Sequence, residues 1–264
     1  MTSDSPSTWL RRLDGKLTCI VQNRWCWTIS TMAFSASIYA FKFGIFLSIG
    51  FVILILIHEL GHLFAAKKYH VRTGAPLFIP YIGAILTADT RTIPRWHVAA
   101  LGMGGPLVGS LGAFFSWGIY GLTGNLYFAE IAFMGVALNL FNLLPIGFLD
   151  GGLISLAFTQ WLKLPGYLIL LWLTWHFRNP FLIFTCILTL PSTLSVIFEK
   201  PRPTTVVTRI STDRRIVLGI IYVALIALLG FASWSLLTQV LTPAYIAGKG
   251  HLVFVKKAHH PTPQ

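Results

Sequence analysis

Two histidines and a glutamate at helical spacing are the residues of this sequence with the clearest chemistry. They occur in His58-Glu59-Leu60-Gly61-His62, which matches the pattern H-E-x-x-H. Residues four apart lie on the same face of a helix, with their Cβ atoms about 5 to 6 Å apart. Two imidazoles at that distance can share one Zn²⁺, so the segment predicts a zinc site on a helix.

The surroundings of this pattern favour a functional site over ordinary packing. Two histidines on an interfacial helix would be the plainer interpretation. However, Glu59 lies between them inside the apolar stretch from Phe43 to Ala66. An ionisable group at membrane depth costs about 2.5 to 3.5 kcal/mol on insertion scales. A carboxylate in that position is therefore a functional candidate by default.

A third metal ligand has to come from elsewhere in the chain. A catalytic zinc usually has three protein ligands and one open position. Asp150 is the best candidate, because it follows the helix-breaking Pro145 and lies between Phe148-Leu149 and the apolar residues after Gly151-Gly152. The alternative is a water-exposed Asp-Gly turn, and the apolar flanks favour the ligand.

The composition places these residues in a membrane protein. The chain has 264 residues, of which 55% are hydrophobic and 11% charged, against about 25% charged in a soluble domain. The net charge of +12 could indicate nucleic acid as a partner. The basic residues cluster at the edges of apolar runs, however, where anionic lipid attracts them. We therefore expect membrane lipid as a partner and no nucleic acid.

The order of apolar stretches predicts an all-α polytopic membrane protein with six or seven transmembrane helices. Residues 1–24 are polar and basic and are interpreted as a cytosolic leader. The predicted spans are 27–42, 43–66, 97–119, 127–144 with a continuation past Pro145, 164–177, 181–198 and 216–240, followed by a short polar tail over 242–264. The interruption at Arg178-Asn179-Pro180 leaves open whether the fifth and sixth spans are one bent helix.

Residues 76–86 break the helical pattern. Prolines and glycines punctuate a short aromatic and β-branched string there. Irregular backbone is not tolerated against lipid at membrane depth. The string therefore predicts a short membrane-embedded β element, a re-entrant or interfacial strand pair that lines a cavity.

The two candidate ligand segments resemble the motifs of the site-2 protease family of intramembrane zinc metalloproteases. That family pairs H-E-x-x-H on one transmembrane helix with N-x-x-P-x-x-x-x-D-G on another, which corresponds here to Asn142 through Gly151. The resemblance covers about residues 45–160, the core of a transmembrane metalloprotease domain over 25–241, and residues 76–86 resemble the family's β element. One departure is Gly109, where many members carry the Asn of Gly-Pro-x-x-Asn.

The resemblance implies a division of roles. It implies that one zinc per chain is bound by His58, His62 and Asp150. It also implies that Glu59 activates water and that Asn142 helps to hold the scissile peptide. An edge strand of the β element could pair with the unwound substrate.

The expected activity is regulated intramembrane proteolysis of transmembrane protein substrates by a multi-pass protein of a prokaryotic plasma membrane. The charge distribution orients the second span so that His58 and His62 lie toward the cytosolic side. Two other classes stay open. A transporter would also carry acids at midplane and broken helices, but the sequence has no internal repeat. A protease-like scaffold that only binds membrane segments would have no need of Glu59. Regulatory membrane partners are left undetermined.

Overall fold

The structure, a computed structural model, describes residues 24–80, 83–88, 93–198 and 210–249. Helices make up most of this part of the chain. They are α1 (Arg24–Phe43), α2 (Ile45–Lys68), α3 (Arg95–Thr123), α4 (Leu126–Asn142), α5 (Asp150–Ser155), α6 (Lys163–Phe177), α7 (Pro180–Phe198), α8 (Thr212–Ser235) and α9 (Thr242–Ile246). A 3₁₀ turn, Gln160–Leu162, precedes α6, and a π-helical turn, Leu236–Leu241, joins α8 to α9. The predicted leader and most of the predicted tail lie outside the described residues.

Several of these helices are long and apolar enough to cross a membrane. Within the described residues there are four such segments, Ile45–Lys68, Arg95–Thr123, Pro180–Phe198 and Thr212–Ile246. A crossing takes about 20 apolar residues, and α4 is also apolar but has 17. The fold therefore agrees with an all-α membrane protein. The total of six or seven spans stays a prediction.

The predicted fifth and sixth spans form two separate helices. The first of them, α6, ends at Phe177, and Arg178 follows with φ 47° in the left-handed region. Pro180 starts α7, where its missing N–H costs nothing because the first amides of a helix have no intrahelical partner. The two helices pack together, and the Tyr167 hydroxyl donates a hydrogen bond to the Cys186 carbonyl at 3.2 Å.

Two short strands lie between α2 and α3, as the irregular string at 76–86 predicts. They are β1 (Leu77–Ile79) and β2 (Gly83–Ile85), paired antiparallel with Phe78 opposite Ala84. The Thr28 hydroxyl on α1 donates to the Pro76 carbonyl at 2.8 Å. The hairpin is thus attached to α1 just before β1 begins.

A close backbone contact in the core joins α2 to α3. A Cβ atom at Gly61 would collide with the Gly104 carbonyl oxygen, and one at Gly104 would lie 2.5 Å from the Gly61 carbonyl oxygen. Only glycine lets two backbones approach this closely. The contact lies within one helical turn of His58 and His62, and it brings that face of α2 against α3.

Candidate metal centre

The three residues predicted as metal ligands meet in the interior. His58 and His62 are one turn apart on α2, Asp150 is the first residue of α5, and all three are buried. The Nε2 atoms of the two histidines are 3.2 Å apart. Asp150 Oδ2 lies 3.1 Å from Nε2 of His58, and its Oδ1 lies 3.2 Å from Nε2 of His62. The three side chains therefore aim at one point.

A turn between α4 and α5 carries Asp150 to the histidines. The sequence predicts a helix that continues past Pro145, but α4 ends at Asn142 and the helix restarts only at Asp150. Proline lacks an N–H and disfavours helical backbone before it. Gly147 then takes φ 47°, which favours glycine. A Cβ at Gly151 would collide with the Leu143 carbonyl oxygen, so the Asp-Gly sequence lets α5 begin directly against the turn.

The outer nitrogen of each imidazole is held by a carbonyl oxygen. His58 Nδ1 is 2.9 Å from Asn139 Oδ1, and His62 Nδ1 is 2.8 Å from the Leu101 carbonyl oxygen. A carbonyl oxygen can only accept, so each Nδ1 carries the proton. In the neutral rings both Nε2 atoms then keep a lone pair, and these lone pairs face each other and the Asp150 carboxylate.

This arrangement fits a metal ion. Three electron-pair donors that converge without a proton between them repel one another unless a cation lies among them. Asp150 Oδ2 is buried and has no hydrogen-bond partner among the described residues. Two imidazoles and one carboxylate form a common three-ligand set for catalytic zinc. His58, His62 and Asp150 could thus hold a metal ion.

Gly105 of α3 keeps the space beside the two imidazoles open. A Cβ atom at this position would collide with His62 Nε2 and would lie 2.8 Å from His58 Nε2. Any larger residue would place its side chain against the two Nε2 atoms. The absence of a side chain at Gly105 therefore keeps these two atoms accessible to a metal ion.

One known protein of related chemistry is similar to part of this chain. No protein-family model matches the chain. Zinc metalloprotease MJ0392 from Methanocaldococcus jannaschii is 34% identical to it over 136 residues. This relative is a zinc metalloprotease. The match covers 47% of this chain and 38% of the relative, so the two are comparable over less than half of either length. The similarity supports a metalloprotease that uses zinc.

Asn142, predicted to hold the substrate, lies apart from the contacts of the metal centre. It ends α4, is partly buried, and donates from Nδ2 to the Leu138 carbonyl at 3.1 Å. Asn139, one turn earlier on the same helix, is the amide that reaches His58. Sequence reasoning missed Asn139. The available signal was a second amide in the otherwise apolar run 131–142 of α4.

Glu59 lies on α2 directly after His58 and is 5% exposed. It lies next to the metal centre, and its role in moving a proton stays a prediction.

Proposed function

We propose that this chain is an intramembrane zinc metalloprotease of the site-2 protease type. The observation that carries the proposal is the convergence of His58, His62 and Asp150 between apolar helices, with both imidazoles in the tautomer that presents Nε2. We propose one zinc per chain at this point. The similarity to a zinc metalloprotease supports the same reaction class.

The protein's own residues would perform distinct parts of peptide hydrolysis. Zinc, when bound, activates water for attack at neutral pH and polarises a carbonyl group. Glu59 accepts the proton of the attacking water and delivers it to the leaving amine. The apolar helices around the centre exclude bulk water, so a polar intermediate is stabilised only by the groups that the chain places there.

Substrate recognition requires an unwound peptide, because a helix buries its own backbone groups. The hairpin of β1 and β2 offers main-chain groups that could pair with an extended segment. Asn142 uses Nδ2 within its own helix, which leaves Oδ1 to accept a hydrogen bond from a substrate N–H. We therefore propose transmembrane protein segments as substrates, in contact with surrounding lipid.

The basic end of α2 supports a catalytic centre toward the cytosolic side. Lys67 and Lys68 form the last turn of this helix, and lysines concentrate on the cytosolic side of a membrane. His62 precedes Lys67 by five residues, which is about 8 Å along the helix axis. We propose that the reaction occurs near that interface in a prokaryotic plasma membrane.

A cleavage assay with the purified full chain in detergent tests the proposal. The substrates are synthetic transmembrane peptides in matched pairs, one of each pair carrying Gly, Asn or Pro in the span and the other only Leu and Ala. We expect cleavage of the helix-destabilised peptides, inhibition by a zinc chelator, and no cleavage by the Glu59→Gln variant. Mass spectrometry of the products locates the cut.

Peptide binding in the same detergent and solute uptake by vesicles distinguish the other two classes. Binding of the peptides with normal zinc content but without cleavage by the parent protein indicates a scaffold. Uptake of a solute by vesicles that contain the protein, without any proteolysis, indicates a transporter. Either result contradicts the proposed function.

A further inference from the structure

One of the two imidazoles is held by a side chain and the other by the backbone. His62 Nδ1 bonds to the Leu101 carbonyl, whereas His58 Nδ1 bonds to Asn139. We propose that Asn139 is a positioning residue that fixes the tautomer and the ring orientation of His58, so that Nε2 is available to a metal. The inference rests on the proposed function only in that it takes His58 as a metal ligand.

The orientation of the Asn139 amide is determined by its second hydrogen bond. Its Nδ2 donates to the Gly135 carbonyl at 2.7 Å. Because that carbonyl can only accept, the amide nitrogen must face it, and Oδ1 must face His58. Asn139 is 0% exposed, so water cannot reach the ring to take its place.

Asn139 competes with Asp150 for the single proton of a neutral His58. With the proton on Nδ1, the ring donates to Asn139 and keeps its Nε2 lone pair. With the proton on Nε2, the ring would instead donate to Asp150 Oδ2, which lies 3.1 Å away. That second state would join two metal ligands to each other and block the site. Asn139 therefore favours the state in which the site is open.

The packing of α3 gives this amide its space. A Cβ at Gly109 would collide with Asn139 Oδ1 and would lie 3.0 Å from its Nδ2. Glycine at this position thus allows the amide to reach between α3 and α2. A methyl group added at Gly109 should displace the same hydrogen bond without any change to Asn139 itself.

Zinc affinity in four variants tests the proposal. Asn139→Leu keeps the approximate volume and removes the acceptor, whereas Asn139→Asp keeps an acceptor and, with its proton toward Gly135, can reproduce both hydrogen bonds. Gly109→Ala displaces the amide. Gly118→Ala on the same helix is the matched control, because nothing lies within 4 Å of its Cβ position.

The affinity is measured on the full chain in detergent by competition with a chromophoric chelator. Loss of an outer hydrogen-bond partner costs about 10- to 100-fold in metal affinity. We expect that loss in Asn139→Leu and a loss in the same direction in Gly109→Ala. We expect Asn139→Asp and Gly118→Ala to stay close to the parent protein. Equal affinity in the parent and Asn139→Leu overturns the proposal.

The tautomer of His58 gives a second readout that packing damage alone would not change. In zinc-free protein labelled with ¹⁵N-histidine, the His58 signals are those lost in His58→Gln. We expect the parent ring to carry its proton on Nδ1 and the ring in Asn139→Leu to shift toward Nε2. An unchanged ring in Asn139→Leu overturns the proposal. If the His58 tautomer changes as expected in Asn139→Leu but the parent protein binds no zinc, the proposed function is wrong. The effect of Asn139 on the His58 tautomer is then still supported.

Discussion

The Thr31 hydroxyl of α1 accepts a hydrogen bond from the backbone N–H of Phe78, the central residue of β1, at 3.2 Å. In an antiparallel pair, opposite residues direct their main-chain groups either toward each other or away from each other. The main-chain N–H of Phe78 points away from β2. The main-chain N–H of Ala84, its partner in the register, therefore points away from β1. Because the Thr31 hydroxyl of α1 occupies the outer edge of β1, we expect any pairing with a substrate strand to occur at the edge of β2.

This relationship predicts how the proposed peptide cleavage responds to proline in β2. The sequence alone predicts sensitivity at alternate positions such as Ile82 or Ala84 without giving the phase, and Ile82 lies outside the described residues. We expect Ala84→Pro to lower peptide cleavage at least about tenfold, because proline removes the N–H that faces the substrate. Zinc content should stay normal.

The matched control is Ala84→Val, which keeps the N–H and changes only the side chain. Cleavage rates and zinc content are compared for both variants with the same peptides. If valine lowers cleavage as much as proline does, or if proline also removes zinc, the hairpin is a wall of the site rather than a binding edge.

The three converging side chains predict a metal content of about one zinc per chain. We expect His58→Ala, His62→Ala and Asp150→Ala each to lower it, because each removes one electron-pair donor. Elemental analysis of protein purified without added metal measures the ratio. Full zinc retention by Asp150→Ala would remove Asp150 from the ligand set. Asp89, outside the described residues, would then be the next acid to test.

Replacement of Glu59 should separate metal binding from chemistry. Glu59→Gln keeps the shape of the side chain but cannot accept the proton of the attacking water. General base catalysis contributes about 10²- to 10⁴-fold, so we expect a loss of that order in turnover with zinc content and peptide binding unchanged. Single-turnover kinetics with a bound peptide measure it. Turnover at the parental rate would show that Glu59 is not the base.

A methyl group at Gly105 should empty the metal site without unfolding the protein. The added Cβ would occupy the space beside both Nε2 atoms. We expect Gly105→Ala to lose most of its zinc while Gly118→Ala, on the same helix, keeps the parental content. Thermal unfolding in the presence of a chelator checks that the zinc-free variants are equally stable. Normal zinc in Gly105→Ala would mean that the metal lies away from this face.

The parts of the site that depend on local spacing could be predicted from the sequence. His58 and His62 face the same way because helical geometry places residues four apart on one side. Asp150 could be predicted as a ligand because an acid is costly in an apolar segment unless it has a partner. The strand pair could be predicted because the prolines and glycines of 76–86 exclude a helix there.

The parts that depend on packing between distant segments could not be predicted. A second amide in α4 marks Asn139 in the sequence, but its proposed role requires the packing of α4 against α2 and α3 and the space left by Gly109, which no local pattern encodes. The choice of β2 as the open edge depends on Thr31, 47 residues before Phe78. The end of α4 at Asn142 was missed because a proline can either kink a helix or terminate it.

The glycine contact between α2 and α3 also determines which substitutions the protein can tolerate. The distance between these helices is set by main-chain atoms at Gly61 and Gly104, which are the same whatever side chains surround them. We therefore expect the exposed residues on the outer faces of both helices, such as Phe64 and Leu107, to be exchangeable for other apolar residues without moving the imidazoles. Two small residues would thus leave much of the exposed apolar surface of these helices free to vary.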